Sequence, residues 1–131
     1  MAGLDELQRH ADELAEATGQ EAQLVQRGTQ IFILLPKVRL PKSTYNMEHT
    51  DALFQTDQLY PLSSMDMFWV EPGLLKADGT VPQNADAMET YLERQWRRFS
   101  WHRQNIWNPR GNGLLDHFEF MQARFALDAA S

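Results

Sequence analysis

Ser100 and His102 lie two residues apart, with Asp116 as a more distant carboxylate, so a hydroxyl, a base and an orienting acid share one stretch of chain. Such a set performs acyl transfer or hydrolysis when the base takes the hydroxyl proton and the acid fixes the imidazole. On a helix, residues two apart face different sides; a bent loop can bring them together. Helix-end capping or loop anchoring is the simpler use of the same residues. There is no cysteine, which removes thioester intermediates, disulfides, thiolate metal ligands and thiol redox chemistry. The other histidines are His10, expected on a wet helix face, His49, on a strand or its edge, and His117, beside Phe118. No pair of them has the compact helical spacing of a metalloprotease site. Gly28-Thr29 and Gly111-Asn112-Gly113 fall outside the glycine patterns that cradle phosphate groups. No cofactor is expected.

Five arginines form the other chemical group: Arg94, Arg97 and Arg98, then Arg103 and Arg110. At helical spacing the first three would share a face, able to grip an acidic partner or a chain carboxylate through paired guanidinium hydrogen bonds. A solvated face paired with Glu93 and other local acids is the plain alternative. The chain carries 18 acidic against 12 basic residues, a formal net charge of −6. General nucleic-acid binding is therefore disfavoured. Tyr60, Trp69 and Trp107 are partner anchors if exposed and core residues if not.

Those groups must be held by a chain of 131 residues, enough for one domain spanning 1–131 and one core. Leu4, Leu7, Ala11, Leu14 and Thr18 recur at helical spacing, and Gly19 stands where a left-handed residue would close the helix. Gln20 to Arg27 and Gln30 to Leu35 flank Gly28-Thr29, the pattern of a hairpin. Ile31 to Leu35 lacks polar alternation and predicts a central strand covered on both faces, with Pro36 breaking its ladder. Tyr45 to Phe54 and Met67 to Val70 predict a third and a fourth strand. Met88, Leu92, Trp96 and Phe99 predict a helix over Ala85 to Phe99, capped by Asn84. Leu114, Phe118, Met121 and Phe125 predict a last helix over Leu114 to Leu127, capped by Asn112. The class is α+β: an antiparallel meander of about four strands, an N-terminal helix and two C-terminal helices. The longest apolar run, Ile31 to Pro36, is too short to cross a bilayer, so no membrane contact is expected. The acidic amphipathic start lacks a secretory pattern and suggests a cytoplasmic location.

Several segments, in order, carry a family resemblance: Leu40-Pro41, Asp51-Ala52-Leu53, Leu59-Tyr60-Pro61, Met65-Asp66-Met67-Phe68-Trp69-Val70-Glu71-Pro72, Asp78-Gly79, Trp96 to His102 and Trp107-Asn108-Pro109. Together they resemble a compact bacterial branch of the ubiquitin-conjugating-enzyme superfamily. Tyr60-Pro61 looks like the element leading from the meander to the active-site crossing, and Trp107-x-Pro109 like the approach to a later helix. The resemblance implies a place in a bacterial ubiquitin-like pathway. It also implies a cysteine that carries the modifier as a thioester, and this chain has none. The expected role is therefore a non-catalytic or catalytically divergent component that binds a ubiquitin-like protein, its activating enzyme or a modification target. An unconventional serine or histidine enzyme, and a structural subunit forming a homodimer, are the alternatives.

Overall fold

The computed structural model describes residues 2–131. Helix α1 (Ala2–Thr18) buries Leu7, Ala11 and Leu14. Gly19 ends it at φ 79°, donating its N–H to the Ala15 carbonyl at 2.8 Å. Strands β1 (Gln23–Arg27) and β2 (Gln30–Arg39) form the expected hairpin across Gly28, which takes a positive φ of 64°.

Strand β2 is covered on both faces, as its unbroken apolar run predicts. Ile31, Ile33 and Leu35 join the main core, while Phe32 belongs to a second cluster. The register breaks between Leu35 and Val38, at Pro36, which has no N–H to give the ladder. Lys37 bulges at φ 51° and its N–H goes to the Asp51 carboxylate at 3.1 Å.

The remaining elements are β3 (His49–Asp57), β4 (Phe68–Val70), β5 (Ala87–Tyr91), β6 (Arg94–Phe99) and α2 (Leu114–Ala130). All strand pairs are antiparallel, in the order β1-β2-β3-β4-β6-β5, so β1 and β5 are the edges. Both helices lie on one face. Leu114, Phe118, Met121 and Phe125 of α2 share a core with α1 and with Ile31, Ile33, Phe54, Phe68 and Phe99 of the sheet.

Among the described residues there are therefore six strands in one sheet and two helices, where about four strands and three helices are expected from the pattern. The helix expected over Ala85 to Phe99 is the β5–β6 hairpin. Its turn residues Leu92 and Glu93 both have positive φ, 53° and 61°, the conformation of the tightest hairpin turns. The helical period of Met88, Leu92, Trp96 and Phe99 is coincidental, because the turn falls inside it. Alternation is hidden for a second reason: Arg97 occupies a buried position while Trp96 is buried in the second cluster. Asn84 is not a helix cap; its carbonyl accepts the Ser100 N–H at 2.9 Å.

Two shorter expectations also move. The third strand begins at His49, and Tyr45 makes only an isolated bridge to Lys76. Its phenol is drawn away to the buried Asp128 carboxylate at 2.5 Å, and burial followed by that hydrogen bond raises its pKa. The cap of α2 is Gly113 and not Asn112, whose side-chain carbonyl accepts the Asn108 N–H.

The second cluster, Phe32, Leu53, Trp69 and Trp96, lies outside the main core. Polar side chains close over it. Arg94 lies 4.2 Å above the Trp96 ring and contacts Asp51, and Glu89 accepts from the Trp69 indole at 2.7 Å.

Glu93→Gly should stabilise the protein by about 1 kcal/mol in urea unfolding, because glycine takes a positive φ without the Cβ penalty. Its ion pair with Arg27, exposed on both sides at 3.7 Å, offsets little of that gain. Destabilisation of similar size is what the helix would give, and it would contradict the hairpin.

Candidate functional site

Two irregular segments face each other beyond the sheet: the loop after β3, residues 58–67, and the connector before α2, residues 100–113. Neither pairs as a strand, and side chains join them. The Trp107 indole donates to the Pro61 carbonyl at 2.7 Å. Asp66 takes the Arg103 backbone N–H at 3.0 Å on one carboxylate oxygen and contacts His102 Nδ1 at 2.5 Å with the other. Burial pushes the Asp66 carboxyl up, but the hydrogen bonds from His102 and Arg103 outweigh it and hold it below the ordinary value.

His117 anchors this junction from α2. Its ring is fully buried, with Nε2 2.7 Å from the Met67 carbonyl and Nδ1 3.2 Å from Arg103 Nη1. A carbonyl can only accept and a guanidinium only donate, so the imidazole carries its hydrogen on Nε2 and is neutral. Burial pushes its pKa down to about 4, with the Met67 hydrogen bond opposing. Phe54 meets the ring edge-on at 4.6 Å and Phe120 stacks on it at 5.3 Å.

Tyr60 ties the same loop to both helices. Its phenol takes a hydrogen bond from the Leu114 backbone, leaving its O–H to donate to His10 Nδ1 at 2.5 Å. His10 Nε2 in turn lies 3.3 Å from Glu6. Gly113 is required at the crossing: a Cβ there would sit 2.8 Å from His10 Nδ1 and 3.1 Å from the Tyr60 oxygen.

The structure distributes the sequence candidates widely. Ser100, His102 and Asp116 are not brought together. Ser100 Oγ accepts from Arg98 Nε at 2.8 Å, and Asp116 reaches back to the Gly113 N–H at 2.9 Å as part of the α2 start. His102 is paired with Asp66 instead, its side chain 70% exposed. That arrangement fixes one ring nitrogen on a carboxylate and leaves the rest of the imidazole accessible to solvent.

The arginines divide by strand face. Arg97 is buried at 6% exposure and donates to the Ala85 and Pro72 carbonyls, with burial lowering its pKa. Arg94 and Arg98 are paired with Asp51 and Glu89. Arg110 lines an open cavity of about 340 Å³ shared with Glu6, Glu13 and Asp116. Arg103 lies over the Trp107 ring at 5.1 Å. Of the aromatic anchors, Tyr60 and Trp69 are buried and Trp107 is half-buried, so the first two serve packing. The large apolar side chains that do stand out beside this junction are Ile106, 94% exposed, Leu62 at 74% and Leu59 at 61%.

Sequence reasoning passes over Asp66 and the buried Arg103–His117 contact, and it expects His10 on a wet helix face, where the side chain is instead 17% exposed and held against Tyr60. Asp66 sits within a motif quoted for its aromatics, and nothing in linear spacing joins it to His102, 36 residues later. Among the described residues no group of three or more acidic or histidine side chains could hold a metal ion. No helix there is long and apolar enough to cross a membrane.

Two outcomes follow from these contacts. Because His117 is neutral in the fold and titrates near 6.5 when unfolded, protons bind preferentially to the unfolded chain between those values. Stability should fall by about 3 kcal/mol as pH drops from 6.5 to 4, and urea unfolding of His117→Gln should lack that part of the slope. Gly113→Ala should cost about 1–3 kcal/mol through overpacking against His10 and Tyr60, read from the same denaturation curves.

The fold and its junction can now be set beside known proteins. The family described as Prokaryotic E2 family E matches residues 7–128, from within α1 to near the end of α2. No curated protein and no solved structure gives a significant match. The matched span contains the whole sheet and the junction. The α+β class, the antiparallel sheet and the helices at each end agree with the ubiquitin-conjugating-like fold the sequence resembles. With no cysteine anywhere in the chain, conjugation through a cysteine thioester is excluded for it. The chain belongs to Prokaryotic E2 family E, as a ubiquitin-conjugating-like member without the sulfur nucleophile.

Proposed function

We propose that this chain is a non-catalytic, binding component of a bacterial ubiquitin-like modification pathway, recognising a ubiquitin-like protein, its activating enzyme or a modification target. The observation that carries the reading is the family match across 7–128 in a chain with no cysteine. A fold can outlast the chemistry it once positioned, and a retained surface then serves recognition. Ile106, Leu62 and Leu59 support this reading. They stand exposed on the two segments that the Trp107–Pro61 hydrogen bond holds together. Apolar side chains presented on a fixed junction suit a protein partner better than water.

A catalytically divergent reading has one observation in its favour, the Asp66–His102 pair with its exposed imidazole. It would act as a base towards a hydroxyl or amine brought by a partner. A third reading, a structural homodimer, would show as a concentration-dependent hydrodynamic mass.

Purified protein should retain a folded ubiquitin-like protein, activating enzyme or target from its own pathway without a covalent adduct by mass spectrometry. Leu62→Asp with Ile106→Asp should weaken that retention at least tenfold. An ester or isopeptide species formed with the activating enzyme and ATP, and lost in His102→Gln, would favour the divergent enzyme. Retention of none of the three partner classes would end the binding proposal.

A further inference from the structure

The acids of the chain account for most of its arginines. Arg94, Arg98 and Arg124 each pair with a carboxylate, and Arg97 is enclosed among carbonyls. Arg110 shares its cavity with Glu6, Glu13 and Asp116. Where β2 turns into β3 the balance is reversed. An open cavity of about 640 Å³ there is lined by Arg39, Lys42 and His49, with Glu48 as its acid. All three basic side chains are exposed, and among the described residues no hydrogen bond or ion pair engages them. Arg39 and His49 are direct cross-strand partners, which puts their Cβ atoms about 5 Å apart on one face. Such a pair is unfavourable when the imidazole is protonated, and an anion between the two would relieve it.

The cavity is preformed. Asn46 donates its backbone N–H to the Leu75 carbonyl at 2.9 Å. Its side-chain amide joins the Gly73 carbonyl and the Leu75 N–H, each at 3.0 Å. Ala77 ties the opposite wall by donating to the Thr44 carbonyl at 3.0 Å. Tyr45, buried in the lining, is fixed by Asp128 of α2. Pro41 and Met47 are half-buried and add apolar surface. The volume falls within the roughly 300–1,000 Å³ of ligand-binding clefts.

Basic groups around an apolar lining match an anion that also carries an apolar side chain. A small phosphate would leave the apolar part bare, and Asn46, the amide that could orient it, is already committed to backbone. An extended acidic segment satisfies both parts. It is repelled by α1, where Asp5, Asp12, Glu13 and Glu16 are exposed, and is drawn instead to this end of the sheet.

We propose that the cavity at the β2–β3 connection docks an acidic, extended segment of a partner protein. Its carboxylates meet Arg39, Lys42 and His49, and an apolar side chain between them packs on Pro41 and Met47. The inference rests on the binding role proposed above and gives it a second contact face. Strand β3 is nine residues long, so this face lies about 26 Å from the junction at the strand's other end.

The probe is the peptide Asp-Glu-Leu-Asp-Glu, capped at both ends and titrated into the isotopically labelled full chain. The backbone signals of Met47 and His49 should shift saturably. The versions Asn-Gln-Leu-Asn-Gln and Asp-Glu-Ser-Asp-Glu should each bind about tenfold more weakly. Arg39→Glu with Lys42→Glu should abolish binding and leave the urea midpoint unchanged, since neither side chain has a partner to lose. Arg27→Glu with Arg110→Glu, the same change in net charge at other places, should leave binding intact. Equal binding of the uncharged peptide, binding of none, equally tight inorganic phosphate, or binding that survives Arg39→Glu with Lys42→Glu would overturn the proposal. So would a concentration-dependent sedimenting mass lost in that double variant, because the occupant would then be the acidic α1 of a second copy. A pathway partner still retained in those cases would leave the broader binding role standing. Peptide binding with no pathway partner retained would end that role and leave the cavity's preference for acidic segments in place.

Discussion

The position of the whole junction depends on keeping one imidazole dry. His117 is sealed between Phe54 and Phe120, where water cannot satisfy either ring nitrogen. The protein must supply an acceptor for one and a donor for the other, and it does so from different segments: Met67 from the loop and Arg103 from the connector. A single side chain on α2 therefore dictates where two otherwise irregular stretches end up. Asp66 and His102 inherit their closeness from that placement, because they neighbour Met67 and Arg103 in sequence. The exposed imidazole and the buried one are thus parts of one construction.

Much of the fold was legible where one pattern had one meaning. The α1 stripe, the β1–β2 hairpin at Gly28, the break at Pro36 and the α2 stripe all lie where their residues predict. The β5–β6 hairpin was not legible, since Arg97 is buried and Leu92 and Glu93 occupy turn positions that usually go to glycine or asparagine. An arginine satisfied by backbone carbonyls makes a buried strand position look solvated. For the candidate site, His102 was visible as a residue and invisible as a pair. Its partner Asp66 is brought to it by tertiary packing, which leaves no periodic trace in the chain. Ser100 shows the reverse: closeness in sequence suggested a pairing that Arg98 takes instead.

The absence of a cysteine thiol removes thioester chemistry without disturbing this framework. The core is built from apolar side chains on the sheet and both helices, and Tyr60 and Trp107 lock the loop and connector through hydroxyl and indole hydrogen bonds. None of those contacts requires a thiol. A recognition surface can therefore persist on the same supports, because the groups that shape it are distinct from the atom that would carry a covalent modifier.

The two outermost strands, β1 and β5, have a consequence for how the molecule behaves in a crowded solution. Each is only five residues long and each leaves one side of its backbone without a neighbouring strand. Open ladders of that kind invite fibre-like stacking of one copy on the next. Here their brevity, and the glutamines and arginine of β1 and the glutamate of β5, give such stacking little hold. Both edges of the sheet thus end in short, polar-studded strands that are poor templates for pairing with another copy.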